Sequence, residues 1–329
     1  MGAGLRTVPG SSLRTDPHPP WPRWTGELAS LVYIAIIATI ANVTGAFYIM
    51  FPELGALSHD VFTRPRGTWA RAPILLAITP VLTGVAGTIF TRTMPYGFAS
   101  VLLTVGAAVL IIELLDSPVA PAISAGLLPL VVGIRSWWYA PGIMLGTFLL
   151  AGLSLVWKEY AEPLKSTAKT AIEDAIQDTI ELPSSRLGWL IALFAFVAFA
   201  VLLVTLTGWR FILFPPLVVI GFEMLGHPEI CPWARRPLWL PLACFLTAAG
   251  GFFFWHLFGV GPLAAACAMV WGIAVLRVFD LHVPPALAVA LLPLVMDHPT
   301  AIYPVSVGIG TLTMTIWFLL YRRIFNLSS

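Results

Sequence analysis

Apolar stretches close to 20 residues long recur along almost the whole chain, with little polar sequence between them. A helix rises about 1.5 Å per residue, so roughly 20 such residues match the hydrocarbon core of a bilayer. Eight runs reach or approach that length: 29–52, 73–91, 97–115, 139–157, 188–215, 238–258, 261–279 and 303–321. Two more, 118–134 and 283–296, are shorter and broken by prolines. Only 10% of residues are Asp, Glu, Lys or Arg and 58% are hydrophobic, whereas soluble domains carry about 25% charge. Such a surface must face lipid. The expected fold is an all-α polytopic membrane protein.

The formal net charge of +2 comes without a basic arm interleaved with aromatics, which argues against nucleic acid as a partner. Cys231, Cys244 and Cys267 show no CxxC or Cys/His spacing, so neither a disulfide framework nor a metal site is expected, and no cofactor motif is visible. The first residues lack the apolar core of a signal peptide, and Arg6 stands where an acylation motif needs Ser or Thr.

The chain repeats itself. One ungapped shift carries Trp69-Ala70-Arg71 onto Trp233-Ala234-Arg235, Gly87 onto Gly251, Gly97 onto Gly261 and Asp116 onto Asp280. It also carries Pro121-Ala122 onto Pro285-Ala286, 127–131 onto 291–295, Tyr139 onto Tyr303 and Gly146-Thr147 onto Gly310-Thr311. Phe51-Pro52 meets Phe214-Pro215 with a shift one residue shorter. Leu/Ala-rich segments match by chance, but Trp, Arg, Asp, Tyr and several prolines in one register indicate duplication.

The expected organisation is a disordered arm (1–28), a first membrane repeat (29–157), a linker (158–187), a second repeat (188–323) and a tail (324–329). Within the linker, Leu164, Ala168, Ile172, Ala175, Ile176 and Ile180 share a face, and Lys165, Lys169, Glu173, Asp174 and Asp178 cover the rest, as in an amphipathic interfacial connector. Arg6, Arg14 and Arg23 in the arm, Lys158, Lys165, Lys169 and Arg186 in the linker, and Arg322 and Arg323 at the end are all basic. Eight spans put these regions on one side, and the Lys/Arg bias makes that side cytoplasmic in a cell's inner membrane. The same count leaves Arg64, Arg66, Arg71, Arg235 and Arg236 on the wrong side unless they are tucked into the protein.

Short, Pro-interrupted apolar segments at matching places in two repeats point to a solute site on broken helices. The runs at 118–134 and 283–296 fit, as re-entrant segments or as kinked spans, with Pro121 and Pro284-Pro285 at helix starts whose unpaired N–H groups would favour an anion. Charged groups inside membranes usually face a water path or a partner. Glu113 and Arg277 hold equivalent positions just before Asp116 and Asp280, so a polar core of Glu113, Asp116, Arg277, Asp280 and His282 is one expectation. The other is that these groups mark span ends in the headgroup zone. Tyr139 and Tyr303 suit an aromatic belt or hydrogen bonds to solute. Glu223 and His227 are spaced for a proton-linked pair or a helix-end cap. Gly142-x-x-x-Gly146 and Ser306-x-x-x-Gly310 suit close helix packing between the halves.

The segment Val283-Pro284-Pro285-Ala286-Leu287-Ala288-Val289-Ala290-Leu291-Leu292-Pro293 resembles the signature of the HPP family of membrane proteins, with Val283 in place of the motif histidine and His282 one place earlier. Arg64-Pro65 after a Phe-ending span is similar too. The resemblance implies compact units of about four spans, one per half, and transport of a small anion such as nitrite. The expected function is a transporter or channel for a small solute, with the bilayer and that solute as partners and homo-oligomerisation left open. A lipid-modifying enzyme would need a metal cluster, a Ser/His pair or an Asp-rich motif, none of which is visible. A scaffold or accessory subunit is the other alternative.

Overall fold

The computed structural model describes residues 24–161, 168–182, 184 and 188–325. The first repeat comprises α1 (Trp24–Thr44), α2 (Glu53–Thr63), α3 (Thr68–Arg71), α4 (Pro73–Thr93), α5 (Phe98–Leu114), α6 (Ala122–Val132) and α7 (Tyr139–Ala161). The linker holds α8 (Ala168–Ile180). The second repeat comprises α9 (Gly188–Thr207), α10 (Pro215–Gly226), α11 (Trp239–Phe258), α12 (Pro262–Val278), α13 (Pro285–Leu291) and α14 (Ile302–Ile324). Described residues contain no strand, and the chain is an all-α bundle with the composition of a polytopic membrane protein. The proposed tail beyond Phe325, most of the arm, and Leu164, Lys165 and Arg186 of the linker lie outside the described residues.

Among the described residues six helices, α1, α4, α7, α9, α11 and α14, are long and apolar enough to cross a membrane. The runs at 97–115 and 261–279 give 17-residue helices, shorter than the full spans expected. Both stop in the same way. Asp116 and Asp280 take left-handed backbone angles (φ 48° and 50°), and Ser117 N and Leu281 N bond back to Ile112 O and Leu276 O at 2.9 and 3.0 Å. This is a helix C-cap of the Schellman type, a conformation that Asp tolerates. The repeated aspartates are explained by the turn they make.

Two elements escape a hydropathy reading. The runs at 29–52 and 188–215 are not single spans, because Gly45 (φ 68°) and Gly208 (φ 75°) end α1 and α9. Thr44 and Thr207 beside them donate to Ile40 O and Leu203 O, both at 2.7 Å. After a 3-10 turn, Phe51-Pro52 and Phe214-Pro215 open α2 and α10, buried helices of 11 and 12 residues.

Contacts orient these half-helices. The end of α2 lies at the start of α1, where Gly26 meets Phe62 O, and Trp157 at the end of α7 donates to that same carbonyl at 3.0 Å. α6 opens at mid-bundle, since Thr83, halfway along α4, donates to Ala122 O at 2.6 Å. It closes near the far end, where Arg92 donates to Arg135 O at 2.6 Å. Thus α2 runs from the middle to the linker end, and α6 from the middle to the opposite end. The second repeat does the same, with Ala290 of α13 against Gly251 of α11 as Gly126 of α6 is against Gly87 of α4.

Each half-helix with its lead-in segment completes a passage through the bundle, which removes the arginine conflict. Arg64, Arg71, Arg236 and Arg277 share the linker end: Arg64 pairs with Asp174 and Asp178, Arg71 with Asp178, Arg236 with Asp280 and Arg277 with Glu27. Arg92, Arg135 and Arg210 lie at the opposite end, Arg210 with its guanidinium 5.2 Å from the Tyr96 ring centre.

The repeats embrace reciprocally. α1 packs against α12 and α9 against α5, while α2 lies on α13 and α10 on both α6 and α13. The Gly142/Gly146 and Ser306/Gly310 stripes work within a repeat rather than between repeats: Gly146 receives the Leu54 side chain and Gly310 faces Ile212 O.

Candidate solute site between the repeats

Four half-helices start near the middle of the bundle, so their positive ends point to one region. The backbone amides there are not free for a guest, contrary to expectation. At α6, Ala120 N, Ala122 N, Ile123 N and Ser124 N already bond to Pro118, Val119, Ala120 and Pro121 carbonyls at 3.0–3.1 Å. Leu54 N, Gly55 N, Leu217 N, Ala286 N and Leu287 N are engaged in similar turns at the other starts. What remains unsatisfied is side-chain chemistry. Glu53, in the first turn of α2, is buried with both carboxyl oxygens lacking a hydrogen-bond partner. Ser124, in the first turn of α6, lies beside it, its buried Oγ close to the carboxyl but outside good hydrogen-bond geometry. The Glu53 carboxyl is also within electrostatic reach of the Tyr139 and Tyr303 hydroxyls, one from each repeat. Glu53 and Ser124 have Pro216 and Ala288 as counterparts, so the second repeat is apolar where the first is polar.

Tyr139 and Tyr303 are fully buried, not belt residues. Their hydroxyls donate to Ala125 O at 2.8 Å and Val289 O at 2.6 Å. Those carbonyls would normally accept from residues four further on, which are Pro129 and Pro293 and have no N–H. Each tyrosine replaces the bond that its repeat's proline removes. Tyr139→Phe is expected to cost about 1–3 kcal/mol, the penalty for a buried unpaired carbonyl. In a Pro129→Ala background, which restores the N–H, the same change should cost far less; thermal melts of the double-mutant cycle check this.

The other expected site residues are placed as follows. Pro121 and Pro284 are N-caps of α6 and α13, and Pro285 is the first residue of α13; all are buried at the central region. Glu113, Asp116, Arg277 and Asp280 are exposed at the linker end of α5 and α12. Arg277 pairs with Glu27 rather than Glu113, and Asp280 lies 3.5 Å from Arg236. His282 is half-buried just before α13. The structure does not draw these five into one core.

A second polar cluster lies at the linker end. Arg64, buried at the end of α2, contacts Asp60 Oδ1 at 2.7 Å and Glu181 Oε1 at 2.8 Å, and pairs with Asp174 and Asp178 of α8. The linker helix therefore turns acidic side chains toward the bundle, besides burying Ile180. Burial pushes the Glu181 carboxyl above the ordinary carboxylate range, an effect that Asp60 adds to and Arg64 opposes. Glu223 of α10 is buried within electrostatic reach of Glu181 and Asp60, with both oxygens unpartnered. His227, which closes α10, has its basicity lowered by burial. With the one-residue-shorter shift, Asp60 and Arg64 match Glu223 and His227, an acid and a base one turn apart in each repeat. Hydropathy hid Arg64 and Glu53, but a charged residue beside Phe-Pro in one repeat and not the other was a usable signal.

No family model, curated protein or solved structure matches the chain.

Proposed function

We propose that the chain is a carrier or channel for a small inorganic anion, of which nitrite is one instance, moved together with a proton through the region where the half-helices start. One observation supports this most: a buried Glu53 carboxyl and a buried Ser124 hydroxyl, side by side and neither in good hydrogen-bond geometry, stand in the first turns of α2 and α6. Ionised, Glu53 is itself the anion that the helix dipoles favour. Protonated, it leaves the dipoles uncompensated and offers an O–H donor beside the Ser124 hydroxyl, chemistry suited to an incoming anion. Carboxylate and solute anion thus exclude each other, which couples one proton to one anion. The resemblance to the HPP family points the same way, and the basic residues at the linker end support a cytoplasmic orientation of that face.

Uptake of nitrite, nitrate or formate into proteoliposomes tests the reading. A one-unit pH gradient should support about tenfold accumulation at one proton per anion. Glu53→Gln should abolish that gradient-driven accumulation while passive anion exchange continues, and Ser124→Ala should weaken both. Wild-type vesicles that move none of these anions would defeat the proposal.

A further inference from the structure

We infer that Glu223, Glu181 and Asp60 form a proton-holding site, closed by the linker and separate from the central region. Asp60, Glu181 and Glu223 are all fully buried, and among the described residues the one cation paired with them is Arg64, with Asp60 and Glu181. Three ionised carboxyls against one guanidinium would leave two uncompensated charges in a dry interior, which costs far more than holding a proton. Asp60 and Glu181 each have one oxygen on Arg64 and one oxygen without a partner, and Glu223 has two without. Two protons would restore neutrality, and one of them belongs on Glu223, which lies within electrostatic reach of both neighbours.

Of the helices packed against α10, α6, α9 and α13 present no charged or titratable side chain, and those groups come from the linker helix, α3 and the turn after α10. Asp174 and Asp178 of α8 share Arg64, and Arg71 of α3 binds Asp178 on its exposed side. Cys231 lies within electrostatic reach of Glu223. His227, one turn from Glu223 and half exposed, is the group through which a proton reaches the surface. The two repeats have diverged here in a meaningful way: a permanently charged Arg64 holds the linker, and a titratable His227 stands at the matching position. Among the described residues no group is arranged to hold a metal ion.

The site's role in flux rests on the proposed function, but its existence can be tested without flux. Thermal unfolding of the purified full chain in detergent is followed against pH, in sodium and in choline salts. Where the folded state keeps a proton that the unfolded chain releases, stability falls as pH rises above the ordinary carboxylate range. One such proton changes the folding equilibrium by up to tenfold per pH unit. Glu223→Gln, which mimics the protonated acid, should reduce that slope by about one proton and raise stability at alkaline pH. Should that variant not fold, Glu181→Gln must flatten the slope instead. An unchanged slope in the folded variants overturns the site. Stabilisation by sodium over choline that vanishes in Glu223→Gln overturns it in favour of a metal cation. A flattened slope in a protein that moves no anion would keep the site and discard the transport reading.

Discussion

An Arg64→Met variant is expected to lose about 3–5 kcal/mol of stability, the usual cost of removing one partner from a buried ion pair. Native proteins hold only about 5–15 kcal/mol in total, so most of this variant should fail to fold or melt near room temperature. The cause is not the lost attraction alone. Asp60 and Glu181 would keep their burial and lose the guanidinium that touches one oxygen of each, at 2.7 and 2.8 Å. Arg64→Lys should rescue little, because one ammonium cannot span Asp60, Glu181 and the α8 aspartates as a planar fork does. Adding Asp60→Asn and Glu181→Gln to Arg64→Met should restore much of the loss, since the two fully buried partners of Arg64 are then neutral and Asp174 and Asp178 remain partly exposed. Arg235→Met, at an exposed position of the second repeat, should melt like wild type. Melting temperature and monodisperse yield in detergent are the measurements; a stable Arg64→Met variant would refute the account of the linker's anchorage.

That anchorage shows what the sequence could and could not reveal. Span-length apolar runs and the repeated Trp, Gly, Pro and Tyr positions were legible because composition must match lipid and because duplicated turns need the same residues. The half-helices α2 and α10 were not. α2 carries Glu53, Ser58, His59 and Asp60 within 11 residues, a pattern that reads as a loop until the other repeat is seen to bury it. The candidate site was misplaced for a related reason. Repetition drew attention to Asp116/Asp280 and Glu113/Arg277, yet a residue kept in both halves is more readily kept by a shared turn than by a single central task. Glu53 and Ser124, which face Pro216 and Ala288 in the alignment, carry the asymmetry that one site between two repeats requires. Arg64 stayed ambiguous because its partners, Asp174, Asp178 and Glu181, follow more than 100 residues later, and no periodicity links them.

Gly87→Ala is expected to be among the most damaging single-methyl changes in the molecule. A Cβ there would sit 1.8 Å from Gly126 O, and at Gly251 it would sit 2.0 Å from Ala290 O. Both obstacles are backbone carbonyls inside buried half-helices, so no side chain can swing aside and α6 or α13 must move bodily. Overpacking of this kind costs about 1–3 kcal/mol, and here the neighbours of α6 are themselves tightly packed, so the upper part of that range applies. Gly152→Ala is the control: it lies on α7 with nothing within 4 Å, and should gain up to about 1 kcal/mol from helix propensity. The pair also separates stability from function. Ser124 is two residues before Gly126, so displacing α6 pulls the hydroxyl from Glu53, whereas displacing α13 moves Ala288, which has no polar group. Gly87→Ala and Gly251→Ala should therefore melt at similarly lowered temperatures, while gradient-driven anion uptake at permissive temperature falls much further in Gly87→Ala. Equal losses of uptake in the two would mean that packing of the half-helices, not the Glu53–Ser124 face, limits transport.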